Sequence, residues 1–252
     1  MKIATWNVNS LKVRLPHLLE WLAVNPVDAI CLQETKSEDK NYPLAELEAA
    51  GYRSVFSGQK TYNGVAILSR EKVSDVQYGI PNFDDEQKRV IAATLNGVRL
   101  VCVYIPNGQE VGSDKYEYKL KWLKTLTAWL KEELVKHPKL ALLGDYNIAP
   151  EDRDCYDPVA WKGNVLVSEP ERDAFKALLA LGLRDAFREH EQGEKLYSWW
   201  DYRMMAFRRN MGLRIDHILV SEALQCSSCI IDKAPRKLER PSDHTIVVAE
   251  VA

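Results

Sequence analysis

Five polar residues stand where short apolar runs stop. Asn7 closes the run Lys2–Val8, Glu34 follows Asp28–Gln33, and Asn107 follows Val98–Ile105. Asp145 and Asn147 follow Leu140–Leu143, with Gly144 breaking the run. Asp243 and His244 sit just ahead of a last run, Thr245–Val251. Carboxylates and amides at the ends of buried strands must find hydrogen bonds or a metal, because an unpaired buried polar group costs free energy. Glu34, Asp145 and Asp243 are hard oxygen donors. With few histidines beside them they suit magnesium, with manganese as a substitute, rather than zinc. Asn7, Asn107 and Asn147 can donate to phosphate oxygens without adding negative charge. His244 can do the same, with Asp216 holding its other ring nitrogen. The inventory fits metal-assisted attack of water on a phosphodiester. No Gly-x-Ser-x-Gly nucleophile, Walker motif or dinucleotide glycine pattern competes with it.

Each residue has a plainer reading. Asp145 and Asn147 could form an Asx-type turn that ends a strand. Asn7 and Glu34 could be satisfied strand-end groups, Asp216 and His217 a structural pair, and Lys36 and Arg70 solvated cations. The plain reading has to hold at every position at once, and that weighs against it.

These groups need elements that bring them to one edge. Lys2–Val8, Asp28–Gln33, Tyr52–Ser57, Gly64–Ser69, Val73–Tyr78, Arg89–Leu95, Val98–Ile105, Leu140–Leu143, Leu213–Val220 and Thr245–Val251 read as strands, with Asp216 in the middle of its strand. Asn96-Gly97 between two alternating runs is a hairpin signal. Helical spacing is expected from Leu11 to Leu22, over Pro43–Ala50, from about Lys115 to Lys136 with a stripe of Leu120, Leu123, Thr127, Leu130 and Leu134, and over Pro170–Leu181. Glu151–Val167 reads as a long loop. Strands and helices alternate in both halves, so a mixed sheet, or two packed sheets with outer helices, is expected. With no linker or composition break, one domain over residues 1–252 is the simpler organisation.

The composition, 46% hydrophobic and 28% charged, fits a globular protein with a sizeable core. The net charge of −2 excludes a basic whole-protein signature for nucleic acid, so an anionic partner must meet a local patch. Five cysteines, an odd number, fit a reducing compartment. Cys31 and Cys102 read as core residues, and Cys226-x-x-Cys229 lacks a second pair for zinc. No apolar run approaches a membrane span, and no targeting arm is expected.

The motifs TWNVNSLKVR (5–14), LQETK (32–36), NGVAILSR (63–70), VYIPNG (103–108), LLGDYNIAP (142–150), YSWWDYR (197–203), GLRIDHILVS (212–221) and ERPSDH (239–244) follow one another along nearly the whole chain. Together they resemble the exonuclease III family of apurinic/apyrimidinic (AP) endonucleases, within the endonuclease/exonuclease/phosphatase superfamily. The resemblance implies a four-layer α/β sandwich of two packed mixed β-sheets flanked by helices. It makes Glu34 the principal metal ligand, with Asn7 and Asp243 completing that shell, partly through water. Asp145 would orient or deprotonate the attacking water, or protonate the leaving oxygen, with Asn147 positioning it. Tyr104 and Asn107 resemble a phosphate-contacting pair. His244, oriented by Asp216, would contact the scissile phosphate. Trp199 and Leu213 resemble the walls of a pocket for a baseless sugar. Tyr146 replaces the family's Phe in Gly-Asp-Phe-Asn, and Thr245-Ile246 replace its small residue and proline after Ser-Asp-His.

The resemblance implies a magnesium-dependent, cytoplasmic DNA repair nuclease, nucleoid-associated if bacterial, that is monomeric and needs no membrane. It would cleave double-stranded DNA 5′ to abasic sites to leave a 3′-hydroxyl, with 3′–5′ exonuclease and 3′-phosphatase action on blocked 3′ ends as further expectations. Lys36, Lys115, Lys119, Lys121, Arg203, Arg208 and Arg209 are candidate DNA contacts, although Lys119 and Lys121 could equally be the solvated face of the long helix. The basic 203–209 segment beside Trp199 and Trp200 suits an unstacked nucleotide. In the Glu151–Val167 loop, Trp161, Lys162 and Gly163 are expected near the DNA, with Gly163 leaving space that tunes the balance of activities. Two alternatives are a phosphoinositide or sphingolipid phosphodiesterase of the same fold and a non-catalytic nucleic-acid-binding regulator. The aromatic–basic segment opposes the first, and retention of Glu34, Asp145, Asn147 and His244 opposes the second.

Overall fold

The computed structural model describes residues 1–252. In chain order the elements are β1 (Lys2–Asn7), α1 (Leu11–Val24), β2 (Ala29–Gln33), α2 (Leu44–Ala49), β3 (Arg53–Ser57), β4 (Val65–Ser69), β5 (Ser74–Tyr78), β6 (Val90–Leu95), β7 (Val98–Tyr104), α3 (Asp114–Lys136) and β8 (Leu140–Asp145). They continue with α4 (Pro158–Trp161), α5 (Glu169–Leu179), β9 (Leu183–Asp185), β10 (Trp199–Trp200), β11 (Gly212–Leu213), β12 (Asp216–Ser221), β13 (Cys226–Asp232) and β14 (Ile246–Val251).

Two six-stranded sheets form the centre, in the orders β13-β14-β1-β2-β4-β3 and β5-β6-β7-β8-β12-β9. Both are mixed. Each contains one parallel pair joined through a helix, β1 with β2 across α1 and β7 with β8 across α3. A parallel pair brings the C-terminal ends of both strands to the same edge. Asn7 and Gln33 therefore emerge together on one sheet, and Tyr104 and Asp145 emerge together on the other.

Side-chain alternation decides which way those ends point. In β1, Ile3 joins the core between the sheets, whereas Ala4 and Trp6 pack under α1. In β8, Ala141 and Leu143 face the interlayer, whereas Leu140 and Leu142 face the outer layer of α3 and α5. Continuing both alternations, Asn7 and Asp145 fall on the interlayer side. So does Tyr104, which follows Leu100 and Cys102, and so does Asp216, which precedes Ile218 and Val220. Four polar groups thus line the open end of the apolar layer between the sheets.

The Asn96-Gly97 hairpin joins β6 to β7 with both residues at positive φ (50° and 79°), as a type I′ turn requires. Gly144 lies within β8 rather than at a turn. It is glycine because a Cβ there would stand 1.9 Å from the Val103 carbonyl oxygen on β7.

Several expectations shift. Asp216 opens β12 opposite Asp145 instead of sitting at mid-strand, because residues 214–215 leave the ladder. The inner face of α3 is Trp122, Leu123, Leu126, Trp129 and Leu130, while Leu120 and Thr127 are half-buried along the seam with α5. The 151–167 segment carries a short turn at Asp152–Asp154 and the helix α4. The strands β9 and β13 carry too little apolar alternation to stand out in the sequence.

Candidate active site

Three strand ends close with the same local device. After β1 the Asn9 amide donates to Asn7 Oδ1 at 2.9 Å, after β7 the Gln109 amide donates to Asn107 Oδ1 at 3.1 Å, and after β8 the Asn147 amide donates to Asp145 Oδ1 at 2.9 Å. The third residue of each turn lies in the left-handed region, with φ 42° at Asn9, 59° at Gln109 and 50° at Asn147. The plain Asx-turn reading and the chemical reading therefore coincide. The turn consumes one side-chain oxygen and leaves the other atom of each head group aimed across the edge.

Across that edge Asn7 Nδ2 donates to Glu34 Oε1 and to Asp145 Oδ2, both at 2.9 Å. Asn147 Nδ2 reaches the same Asp145 oxygen at 3.3 Å and the Ile105 carbonyl at 3.0 Å. Asn107 Nδ2 donates to Asn147 Oδ1 at 3.1 Å. Glu34 sits at φ 51°, a conformation a glutamate adopts only where its surroundings impose it. Ligand atoms of Glu34, Asp145 and His244 lie within 4.8 Å of one another. Asp243 stands outside this group. Its oxygens accept from Asn9 Nδ2 at 2.9 Å and Trp199 Nε1 at 3.0 Å.

His244 Nδ1 meets both oxygens of buried Asp216, at 2.9 and 3.1 Å, and its Nε2 lies 3.7 Å from Asp145 Oδ2. Burial alone would lower the imidazole, but Asp216, Asp145 and Asp243 outweigh it and hold His244 up to about 10. His244 is therefore a cation at neutral pH and a donor rather than a metal ligand. Burial raises Asp145 well above the usual carboxylate range, with Asp216 and Glu34 adding to the rise against His244 and Asn7. Burial likewise raises Tyr104 well above its ordinary value, so it stays a neutral phenol beside Glu34, with Arg89 stacked 4.6 Å from its ring centre. The oxygen donors that remain, Glu34 and Asp145, fit a hard divalent cation.

The sugar-pocket candidates come together as well. Trp199 pairs with Leu213 across the short β10–β11 ladder and bridges to His244. Leu213 packs with Leu166, Cys155 and Ile215. Gly163 is exposed, in an adjoining depression of about 460 Å³ lined by Gln109, Glu110, Val111, Trp161, Asn164 and Val165. The side chain that this segment delivers beside Leu213 is Leu166, at φ 77°.

Lys36 pairs with Glu34 at 2.9 Å and donates to Asn9 Oδ1 at 2.6 Å, so it is part of the edge rather than a free surface cation. Arg203, exposed, pairs with Asp201, whereas Arg208 and Arg209 are exposed on the same loop. Lys115 and Lys121 are also exposed, and Lys115 lines a cleft of about 810 Å³ beside Glu34, Tyr104 and Asn107. Lys119 corrects the reading of α3. It is wholly buried, on the inner face of the helix, and cannot touch DNA. Asn9, which the sequence offers only as part of an N-cap with Ser10, is a further residue of the edge, and Asn7-x-Asn9 repeats the spacing of Asp145-x-Asn147.

A model of the endonuclease/exonuclease/phosphatase family matches residues 4–244. The chain belongs to this family. Within it, exodeoxyribonuclease III of Haemophilus influenzae is 35% identical over 266 residues, covering 99% of each chain. Among solved structures, a Neisseria 3′ phosphatase, NExo, bound to a product DNA hairpin is 50% identical with a TM-score of 0.97, covering 100% of this chain and 99% of that one. An AP endonuclease from Archaeoglobus fulgidus is 39% identical with a TM-score of 0.95, covering 99% and 98%. The two mixed sheets and flanking helices are the family's α/β sandwich. No helix is long and apolar enough to cross a membrane.

Proposed function

We propose that this protein is a divalent-metal-dependent DNA repair nuclease, carried by one domain over residues 1–252, that hydrolyses the backbone 5′ to an abasic site and leaves a 3′-hydroxyl. The observation that carries the reading is the convergence of Glu34, Asn7, Asp145, Asn147, Asp216 and His244 on one edge, within a chain related to exodeoxyribonuclease III and to AP endonucleases along nearly its full length. Glu34, with Asp145 near it, would hold a magnesium ion, and manganese has the same donor preference. When bound, the metal supplies charge stabilisation for the reacting phosphate.

The chain's own groups do the rest. The His244 cation donates from Nε2 to a phosphate oxygen and Asp216 keeps its ring in place. Asp145 exchanges a proton with the water or the leaving oxygen. Asn7 and Asn147 fix the Asp145 oxygen that faces the reaction, while the neutral Tyr104 phenol and the Asn107 amide meet the phosphate. Trp199 and Leu213 would wall the sugar, Asp243 orients Trp199, and Lys36 and Arg208 would meet flanking phosphates of double-stranded DNA. A second reading, removal of 3′ phosphates and nucleotides at the same site, is favoured by the likeness to the Neisseria 3′ phosphatase. A cytoplasmic location and a monomeric state belong to the same proposal.

The test is incubation with a duplex carrying one abasic analogue, and with a duplex ending in a 3′ phosphate, in magnesium or EDTA. Incision 5′ to the analogue with magnesium, abolished by EDTA, is expected. Absence of incision with magnesium sinks the AP endonuclease reading, and phosphate release alone makes the 3′-end activity primary.

A further inference from the structure

Directly behind the asparagine pair lies a buried ion pair that the chemistry above does not use. Lys119 on α3 and Glu171 on α5 have no exposed side-chain surface. Lys119 Nζ donates to Glu171 Oε1, to the Asn147 carbonyl at 2.6 Å and to the Asn107 carbonyl at 3.1 Å. An ammonium has three protons, and all three are spent. Glu171 is equally occupied. Its Oε1 accepts from the Leu166 amide at 3.0 Å, and its Oε2 accepts from the Ser168 amide at 3.1 Å and the Ser168 hydroxyl at 2.6 Å.

A buried ion pair is weak evidence for stability, because well-packed apolar residues often replace one without loss. What an apolar pair cannot do is donate to two carbonyls. Those carbonyls belong to the residues whose side-chain amides run from Asn107 to Asn147 and from Asn147 to Asp145. Asn147 is in a left-handed conformation at φ 50° that an external donor helps to hold. The other buried ion pair on α3, Glu133 with Arg99 of β7, bonds to no residue of the site.

We propose that Lys119, seated by Glu171, is a positioning residue for the hydrolysis: by holding the Asn107 and Asn147 carbonyls it sets the direction in which their amides meet the phosphate and Asp145. The same pair fixes the backbone of the 166–168 segment that brings Leu166 beside Leu213, so the hydrolytic and sugar-binding parts of the edge share one anchor. This inference rests on the nuclease reading given above.

The experiment is a double-mutant cycle on duplex incision with saturating magnesium, in the full chain, using Lys119→Met, Asn147→Ala and the double variant. Lys119→Gln, whose amide keeps two N–H donors on a shorter side chain, replaces Lys119→Met if that variant is not folded by circular dichroism at the assay temperature. Lys119→Met is expected to lower kcat about 10- to 100-fold with KM changed less than 3-fold, and to have little further effect when Asn147 is already alanine. Arg99→Met with Glu133→Gln, an equal disturbance of α3, should leave kcat within about 3-fold while lowering the melting temperature. Equal losses from Lys119→Met with and without Asn147, or equal kcat losses from the two ion-pair disruptions, overturn the inference while the nuclease reading stands. A wild-type protein inactive on both substrates overturns both.

Discussion

Replacing Asp216 by asparagine tests whether His244 works as a cation. Asp216 is buried, accepts from the Ser198 hydroxyl at 2.7 Å, and faces His244 Nδ1 through both oxygens at 2.9 and 3.1 Å. An asparagine oxygen can still accept from Nδ1, so ring geometry survives while the charge disappears. With Asp216, Asp145 and Asp243 around it, His244 is raised from 6.5 to about 10, a preference for the charged ring on the order of 5 kcal/mol. One opposite charge at contact distance accounts for roughly 1–3 units of such a shift, so the variant's imidazole should titrate between about 7 and 9. The sign follows directly. Below that range the ring is protonated in both proteins, and above it only the wild type keeps the donor. The assay is kcat/KM for abasic-duplex incision from pH 6.5 to 9 at saturating magnesium. Between these limits the variant should lose roughly 2-fold more activity than the wild type if its ring titrates near 9, and on the order of 100-fold more if it titrates near 7. Parallel profiles, with the same deficit at both ends, would show that His244 does not act through its charge.

Two further outcomes bear on the fold beneath the site. His217 is buried with Nε2 against the Ile148 carbonyl at 2.8 Å and Nδ1 against Arg214 at 3.0 Å, a pairing that suits the neutral ring, and burial with Arg214 lowers it to about 4. The unfolded chain takes up this proton near pH 6.5 and the folded chain only near 4, so the contribution is full above 6.5 and fades as pH falls towards 4. Between pH 7 and 5 the wild type should lose about 2 kcal/mol more stability than His217→Gln, measured by urea unfolding, and identical pH dependence in the two would refute the neutral-ring assignment. Gly144→Ala would place a methyl group 1.9 Å from the Val103 carbonyl oxygen, forcing β7 and β8 apart. It should remove about 3 kcal/mol or more, roughly 6–12 °C in melting temperature, and an unchanged melt would mean the ladder yields more easily than its geometry indicates.

Much of the edge was legible because its signals are local. A polar head group closing an alternating run marks a strand end, and Asn7, Glu34, Asn107 and Asp145 all carry that mark. Asn96-Gly97 names its own turn. What escaped was set by tertiary contacts. A lysine on a long amphipathic helix reads as solvated, and nothing near Lys119 in the chain announces Glu171, 52 residues away. Leu166 is no louder in the sequence than its neighbours, and it reaches Leu213 only because the 151–167 segment folds back. Asp243 carries the mark of a site residue in the sequence, but its partners Asn9 and Trp199 arrive from distant segments.

The edge draws its groups from both sheets. Asn7 and Glu34 hang from one sheet, Tyr104, Asp145 and Asp216 from the other, and the 2.9 Å bond between Asn7 and Asp145 spans the gap. A slide of one sheet against the other by a single residue's rise, about 3.3 Å, would part them. A nascent or partly melted chain therefore holds two inert halves. The edge is complete only when both layers are docked in register, so its chemistry depends on the packing of the whole domain rather than on either sheet alone.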